Sequence, residues 1–410
     1  MSFRRPCRTM RFAMKVEYNI IAFLGLKKNM VALLAMVILV GLGEKMAERF
    51  LPVYLIALGG GVLSVGLLNG LDNLLSALYA FPGGYLSDRI GYKRALLFFN
   101  LLSMVGFLVV ILLPRWYAVI SGAALFLSWS AISLPASMDL ISKALPSTKR
   151  TMGVTMHSLV RRIPMALGPV IGGAFIQAFG TTKGIRLAFV AALVLAAVAL
   201  FMQQALIQEE REQEKRFLGE KNPSRMLRLM SPSLKRLLLS DILVRFCEQI
   251  PYAFVVIWCL EVARVTPVQF GLLTAVEMVT AMLIYIPVGY LADRTTKKPF
   301  VVITFFFFTL FPLALLFSRS FGTLVLAFIL RGLKEFGEPT RKALILDLSP
   351  EDRKAGMFGT YYLVRDVVVS AAAFGGAFLW KISPAINLVA AFGFGVMGTL
   401  LFSLSARDFD

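Results

Sequence analysis

The fold class this sequence predicts is an all-α membrane protein with twelve transmembrane helices in two pseudo-symmetric six-helix bundles. Three observations point there. Of 410 residues, 58% are hydrophobic and 16% charged, with a mean hydropathy of +0.75. Soluble domains average about 45–50% and about 25%, so lipid is the solvent for much of the chain. Twelve stretches are apolar and near or above the roughly 20 residues that a helix needs to cross a bilayer. Short phrases of the first half also recur, in order, in the second.

Spans 1–6 are read at 31–56, 62–86, 94–113, 116–142, 152–179 and 185–206. Spans 7–12 are read at 238–262, 267–291, 299–317, 321–345, 355–380 and 385–405. Glycine and proline mark the junctions, as at Gly59-Gly60-Gly61, Pro114 and Gly180. The loops are short and leave no room for a soluble catalytic domain. The exception is 207–237, where Glu209, Glu210, Arg211, Glu212, Glu214, Lys215 and Arg216 form a charge run that reads as a solvated linker. The expected organisation is a tail at 1–28, a bundle at 29–206, the linker at 207–237, a second bundle at 238–405 and a tail at 406–410. The basic start ahead of an apolar stretch resembles a signal peptide. The first span is too long for a signal core and has no small-residue cleavage site, so it reads as a retained helix.

The formal charge of +19 would suggest nucleic acid in a soluble protein. Here it reads as a topology code. With the N-terminus inside, 29 of the 43 Lys and Arg fall in inner segments and 6 in outer loops. That bias places both termini in the cytoplasm and the chain in the cytoplasmic membrane, with no nucleic-acid partner. The remaining 8 lie inside spans. Three cysteines, Cys7, Cys247 and Cys259, show neither disulfide nor zinc spacing, and one histidine, His157, excludes a multi-His metal centre. No metal and no cofactor are expected.

The repeat is internal to the spans. Residues 66–72 (GLLNGLD) match 271–277 (GLLTAVE), and 84–89 (GYLSDR) match 289–294 (GYLADR), both at an offset of 205. Residues 159–162 (LVRR) match 363–366 (LVRD) at 204, and 172–175 (GGAF) match 375–378 at 203. Two parallel, homologous bundles are the build of a secondary transporter with its site between the halves.

Gly83-Gly84-Tyr85-Leu86-Ser87-Asp88-Arg89-Ile90-Gly91-Tyr92-Lys93-Arg94 resembles the loop 2–3 signature of the major facilitator superfamily, with a degenerate copy at Gly289–Arg294. The resemblance covers about 29–405. It implies that Gly84, Asp88, Arg89, Gly91, Arg94, Asp293 and Arg294 form a conformational switch on the inner face. Leu167-Gly168-Pro169-Val170-Ile171-Gly172-Gly173 resembles the end of the antiporter pattern GPxxGG. Pro164 and Thr155 stand where its upstream glycines belong, so support for export is modest. Span 4 shows Trp129 and Ser130 where many proton antiporters of the family carry an arginine. A basic motif stands instead in span 10, Arg331-Gly332-Leu333-Lys334-Glu335-Phe336-Gly337.

An ionisable group at mid-bilayer costs at least about 2.5–3.5 kcal/mol, so it pairs or lines water. Spans 1, 4, 7 and 10 line the cavity in the family. By that resemblance Glu44, Glu48, Arg49, Asp139, Arg245, Glu248, Arg331 and Glu335 are the candidates for binding solute or protons. Glu44 and Glu48 share a helix face. Glu44 is the first candidate proton carrier, because a carboxylate withdrawn from water is less costly when neutral. The repeat equates Asp72 with Glu277, and Arg161/Arg162 with Arg365/Asp366. In the family, span 2 meets span 11 and span 5 meets span 8. Two cross-interface pairs are therefore expected: Asp72 with Arg365, and Glu277 with Arg161 or Arg162. Phe305–Phe308 read as lipid-facing or core filler.

The function expected is secondary active transport of a small solute by alternating access, proton-coupled, by a monomer, with uptake and export both left open and only the glycine pattern of span 5 favouring export. A non-transporting membrane sensor or scaffold on the same fold is the alternative. A membrane enzyme would need a nucleophile–base or metal constellation, and none is visible.

Overall fold

The computed structural model describes residues 28–127, 137, 147–206, 223–292, 296–350 and 354–404. Each of the twelve stretches is helical where described. Span 1 runs Lys28–Glu48 and Leu51–Ala57, span 2 Gly61–Ile90, span 3 Tyr92–Leu112, and span 4 begins as Trp116–Phe126. Span 5 is Ser147–Phe179 and span 6 Thr181–Leu206. Span 7 is Pro232–Tyr252 followed by Val255–Val262, span 8 Pro267–Ala292 and span 9 Lys298–Phe317. Span 10 is Phe321–Leu333 and Glu338–Asp347, span 11 Lys354–Ile382 and span 12 Pro384–Leu404. Among the described residues, eight helices are long and apolar enough to cross a bilayer, or nine with the bent pair of span 7 counted as one. Spans 1 and 10 are broken, and most of the inner half of span 4 lies outside the described residues.

The breaks have local causes. Pro52 sits in the first turn after the interruption at Arg49–Phe50, and a proline that cannot donate suits that position. Span 7 bends by 44° just past Pro251 and continues partly as a π-helix at Trp258–Val262. The breaks at 49–50 and 253–254 are equivalent at an offset of 204, so the repeat extends to helix geometry. Span 10 opens at Lys334–Gly337 ahead of Pro339, and the freed Gly337 N–H donates to the Thr304 hydroxyl. Such freed backbone groups are tolerated at membrane depth only where protein or cavity water takes them up.

Span 2 packs along span 11 and span 5 along span 8, as the family resemblance implied. Small residues make these approaches possible. A side chain at Gly66 would strike Ala377, and one at its repeat equivalent Gly271 would lie 2.5 Å from the Pro169 carbonyl. Gly172 and Gly376 do the same against the backbones of spans 1 and 7, at Met46 and Ile250. The glycines of the antiporter-like pattern are thus used for helix packing. The sequence alone pairs Gly172 with Gly375, whereas the packing pairs it with Gly376, a one-residue slip.

The apolar core is divided along the membrane normal. Away from the termini, one cluster joins both halves through Phe50, Leu51 and Tyr54 on one side and Phe254, Val255, Val256 and Phe270 on the other. Toward the termini, Leu33, Val37 and Leu96 form a cluster of the first half, and Leu237, Phe305 and Tyr361 one of the second. Among the described residues, therefore, the halves are closed at the end away from the termini and have separate cores at the other. Large apolar side chains such as Phe201, Leu283 and Phe317 are over 70% exposed, as expected of lipid-facing positions. In the phenylalanine run Phe305 and Phe308 are buried and Phe306 faces outward.

Candidate functional site

The broken helices bring charge to the middle of the molecule. A cavity enclosing about 500 Å³ of empty space, open solvent at its mouth included, lies between the halves beneath the closed end. Its polar lining is Glu48, Arg49, Asn69 and Asp72 from the first half and Tyr252 and Arg331 from the second. The Arg49 and Arg331 guanidinium groups, one from each half, lie 5.2 and 5.6 Å from the Tyr252 ring centroid, within cation–π range.

On the first-half side the Lys45 ammonium donates to Glu44 at 3.0 Å and to Glu48. Both acids are thus committed to a lysine that sequence reasoning did not select as a site residue. On the second-half side the charges form a continuous network. Arg331 pairs with Glu277 at 3.3 Å, and Lys334 with Glu248 at 2.7 Å and Glu277 at 3.6 Å. Arg245 pairs with Glu248 at 2.6 Å and Glu338 at 3.0 Å. Arg341, completely buried, pairs with Asp241 and, at 2.6 Å, with Glu338. Arg365 reaches Asp241 at 3.4 Å and Asp366 at 2.7 Å, and the Tyr361 hydroxyl donates to Asp241 at 3.1 Å. Every buried charge here has a partner, as burial demands.

Across the interface, Arg162 donates to Glu335 at 2.8 Å, joining span 5 to span 10. Asn69 and Asn73 of span 2 donate to the Gln249 carbonyl at 3.0 Å and side chain at 3.2 Å. The expected cross-interface pairs are not the ones formed in this conformation. Glu277 takes Arg331 and Lys334 in place of Arg161 or Arg162, and Arg365 takes Asp241 and Asp366 in place of Asp72. The reason is proximity: breaking span 10 turns its own cations inward beside span 8, and span 11 packs on span 7 as well as span 2. Arg341, counted by sequence position as an inner-loop cation, is an interior group.

Of the cavity candidates, Glu48, Arg49 and Arg331 line the cavity, Glu44 is buried beside it, and Arg245, Glu248 and Glu335 belong to the ion-pair networks. Asp139 lies outside the described residues, as do Asp293 and Arg294. Gly84 and Asp88 lie on the helix Gly61–Ile90 but their side chains are not described; Arg89 and Arg94 are exposed, and Gly91, with φ of +85°, makes the turn into span 3. A positive φ suits glycine because it has no Cβ. Asp241, Glu338 and Arg341 were not among the candidates, although all three lie within apolar spans and Glu338 and Arg341 stand three residues apart on one helix. Tyr252, Asn69 and Gln249 carried no signal beyond polarity in an apolar span.

The comparisons agree with this architecture. The family model described as Major Facilitator Superfamily matches residues 33–262 and 237–408. An uncharacterised MFS-type transporter of Methanocaldococcus jannaschii is 24% identical over 357 residues, 85% of this chain and 87% of the relative. A Bacillus subtilis MFS-type transporter, YfkF, is 27% identical over 130 residues, 31% and 33% of the two chains. Among solved structures, an inward-facing, unoccupied bacterial homologue of the human lysosomal transporter Spinster superposes with a TM-score of 0.75 at 13% identity, covering 93% of this chain and 98% of that one. The human organic anion transporter MFSD10 superposes at 0.65 and 17% identity, covering 92% and 99%. Two repeated helical halves, a charge-lined cavity between them and a family match along almost the whole chain converge: this protein belongs to the Major Facilitator Superfamily and is a multi-pass membrane transporter.

Proposed function

We propose that the chain moves a small polar solute across the cytoplasmic membrane by alternating access, coupled to protons, with both termini in the cytoplasm. The observation that supports this best is the divided core. One shared apolar cluster seals the halves at one end, separate clusters leave the other end free to part, and the charged cavity lies between. The bundles 29–206 and 238–405 are the units that rock. The distribution of positive charge makes the closed end the outer one, so the conformation is inward-open. Among the described residues, both halves of one chain contribute lining to the cavity, which supports a monomeric transport unit.

Glu44 is the proposed proton carrier. It is buried and shares one ammonium with Glu48, so a proton on either carboxylate changes the charge of the trio at little cost in geometry. Flux in proteoliposomes with and without a pH gradient tests the coupling. The wild type accumulates solute against its gradient when the pH gradient is imposed, and Glu44→Gln exchanges solute without accumulating it. Equal accumulation by both would remove Glu44 from the coupling step. Export, favoured only by the glycine pattern of span 5, is tested by which orientation of the pH gradient drives flux.

The Arg162–Glu335 pair joins the halves in this conformation. Glu335→Gln removes one partner of a partly exposed pair, a loss of about 1 kcal/mol. The expected result is about a fivefold population shift away from this conformation, read as changed alkylation of a reporter cysteine at Ala205. An unchanged rate would show that the pair is maintained in both states.

A further inference from the structure

The cavity's own charge balance says what kind of solute fits it. Among the described residues, four charged groups line it: Glu48, Asp72, Arg49 and Arg331. Two are already engaged, Glu48 by Lys45 and Arg331 by Glu277. Among the described residues, Arg49 and Asp72 have no salt-bridge partner, although Asp72 is within electrostatic reach of Glu48, Lys45 and Arg49, and Arg49 of Glu277, Glu48 and Glu248. The guanidinium of Arg49 rests on Tyr252, which holds it in the cavity without neutralising it. Asp72 stands on span 2 in the same wall as Asn69.

We infer that the cavity binds a zwitterion, with Arg49 receiving its anionic group and Asp72 its cationic group. This rests on the cavity being the solute site proposed above. The physical case is one of compensation. A purely anionic solute would pair Arg49 and leave the Asp72 carboxylate uncompensated in a closing, water-poor site, and a purely cationic one would do the reverse. An unpaired charge in such surroundings is strongly unfavourable. A solute carrying both signs satisfies both walls and leaves the charge of the site unchanged, so it adds no net charge to a low-dielectric transition. It also spans two helices of the first half, so Tyr252 and Arg331 of the second half close over it. Asp72, expected from sequence to brace the interface, becomes a specificity residue.

The test uses the full chain purified in detergent and a ladder of ω-amino acids from glycine to 6-aminohexanoate. Each is matched to the n-alkyl amine and the n-alkyl carboxylate of equal length. Affinity is read by isothermal titration. At least one ω-amino acid should bind about tenfold or more tightly than both of its matched single-charge probes, the discrimination expected of one charged hydrogen bond. Asp72→Asn should erase the preference over the carboxylate and keep the preference over the amine, and Arg49→Gln should do the opposite. Asp72→Glu keeps the charge on a longer arm and should move the optimum to a shorter amino acid, which retains a readout if a neutral variant folds poorly. Binding of none of the ladder, no preference for the zwitterion, or equal loss of all three probes in the variants would overturn the inference. Binding of a zwitterion with no flux in proteoliposomes would instead overturn the transport reading and leave this site standing. Preferential flux of an amine or carboxylate would do the reverse.

Discussion

Arg341→Met is expected to destabilise the protein by about 3–5 kcal/mol in denaturant-induced unfolding in detergent, the usual cost of removing one partner of a buried ion pair. Arg341 is completely buried and holds two carboxylates, Asp241 and Glu338, on two helices. Methionine fills the volume but takes from both acids their buried cation, leaving Asp241 with the longer contacts to Arg365 and Arg245 and Glu338 with Arg245. Asp241→Asn is expected to cost less, about 1.5–3 kcal/mol, the worth of hydrogen bonds to a charged group. In that variant Arg341 keeps Glu338, Arg365 keeps Asp366, and the asparagine oxygen still accepts from Tyr361. The order of the two losses carries the argument: equal or reversed losses would mean that Asp241, and not Arg341, organises the network.

Gly172→Val is expected to be more disruptive than the approximately 1–3 kcal/mol typical of overpacking, and to abolish recovery of folded protein by size-exclusion chromatography. Its Cβ would overlap the Met46 carbonyl oxygen. Both sides of that contact are backbone, so neither can rotate away, and span 5 would have to separate from span 1. The matched control lies in the second half. At Gly375 a Cβ meets nothing within 4 Å among the described residues, and Gly375→Ala is expected to gain about 0.8–1 kcal/mol from helix propensity. The two positions align in the sequence repeat, so opposite outcomes would show that packing, and not sequence register, decides the role of each glycine.

That pair also shows where the sequence was sufficient. Composition, span length and the four recurring phrases carried the fold class, because burying backbone in lipid leaves helices as nearly the only choice. The antiporter-like glycines were visible, but their use against Met46 and Pro267 was not, since close approach depends on a facing helix. The charged residues of the site were legible one by one, because a charge inside an apolar span stands out. Their partners were not. Within two turns of its own helix Glu277 has no cation and Arg365 only Asp366, so their other partners come from neighbouring helices, chosen by the break of span 10 at Lys334–Gly337 and by span 11 packing on span 7. Neither can be read from spacing. Tyr252 was invisible for another reason: a tyrosine in a span serves as well for core or interface, and only its place between Arg49 and Arg331 distinguishes it.

The central claim is that the two halves rock about the cavity so that one end opens as the other closes. Spin-label distance measurements test it without knowledge of the solute. One label pair is placed at the terminus-side end, Ala205→Cys with Thr296→Cys, and another at the opposite end, Lys183→Cys with Lys381→Cys; all four positions are exposed. Cys7 is replaced by serine, and the native Cys247 and Cys259 are buried. The account predicts two populations for each pair, the resting one long at the terminus side and short at the opposite side. A change in pH should move the two pairs in opposite directions. A single fixed distance at both ends, or two pairs that lengthen and shorten together, would contradict it.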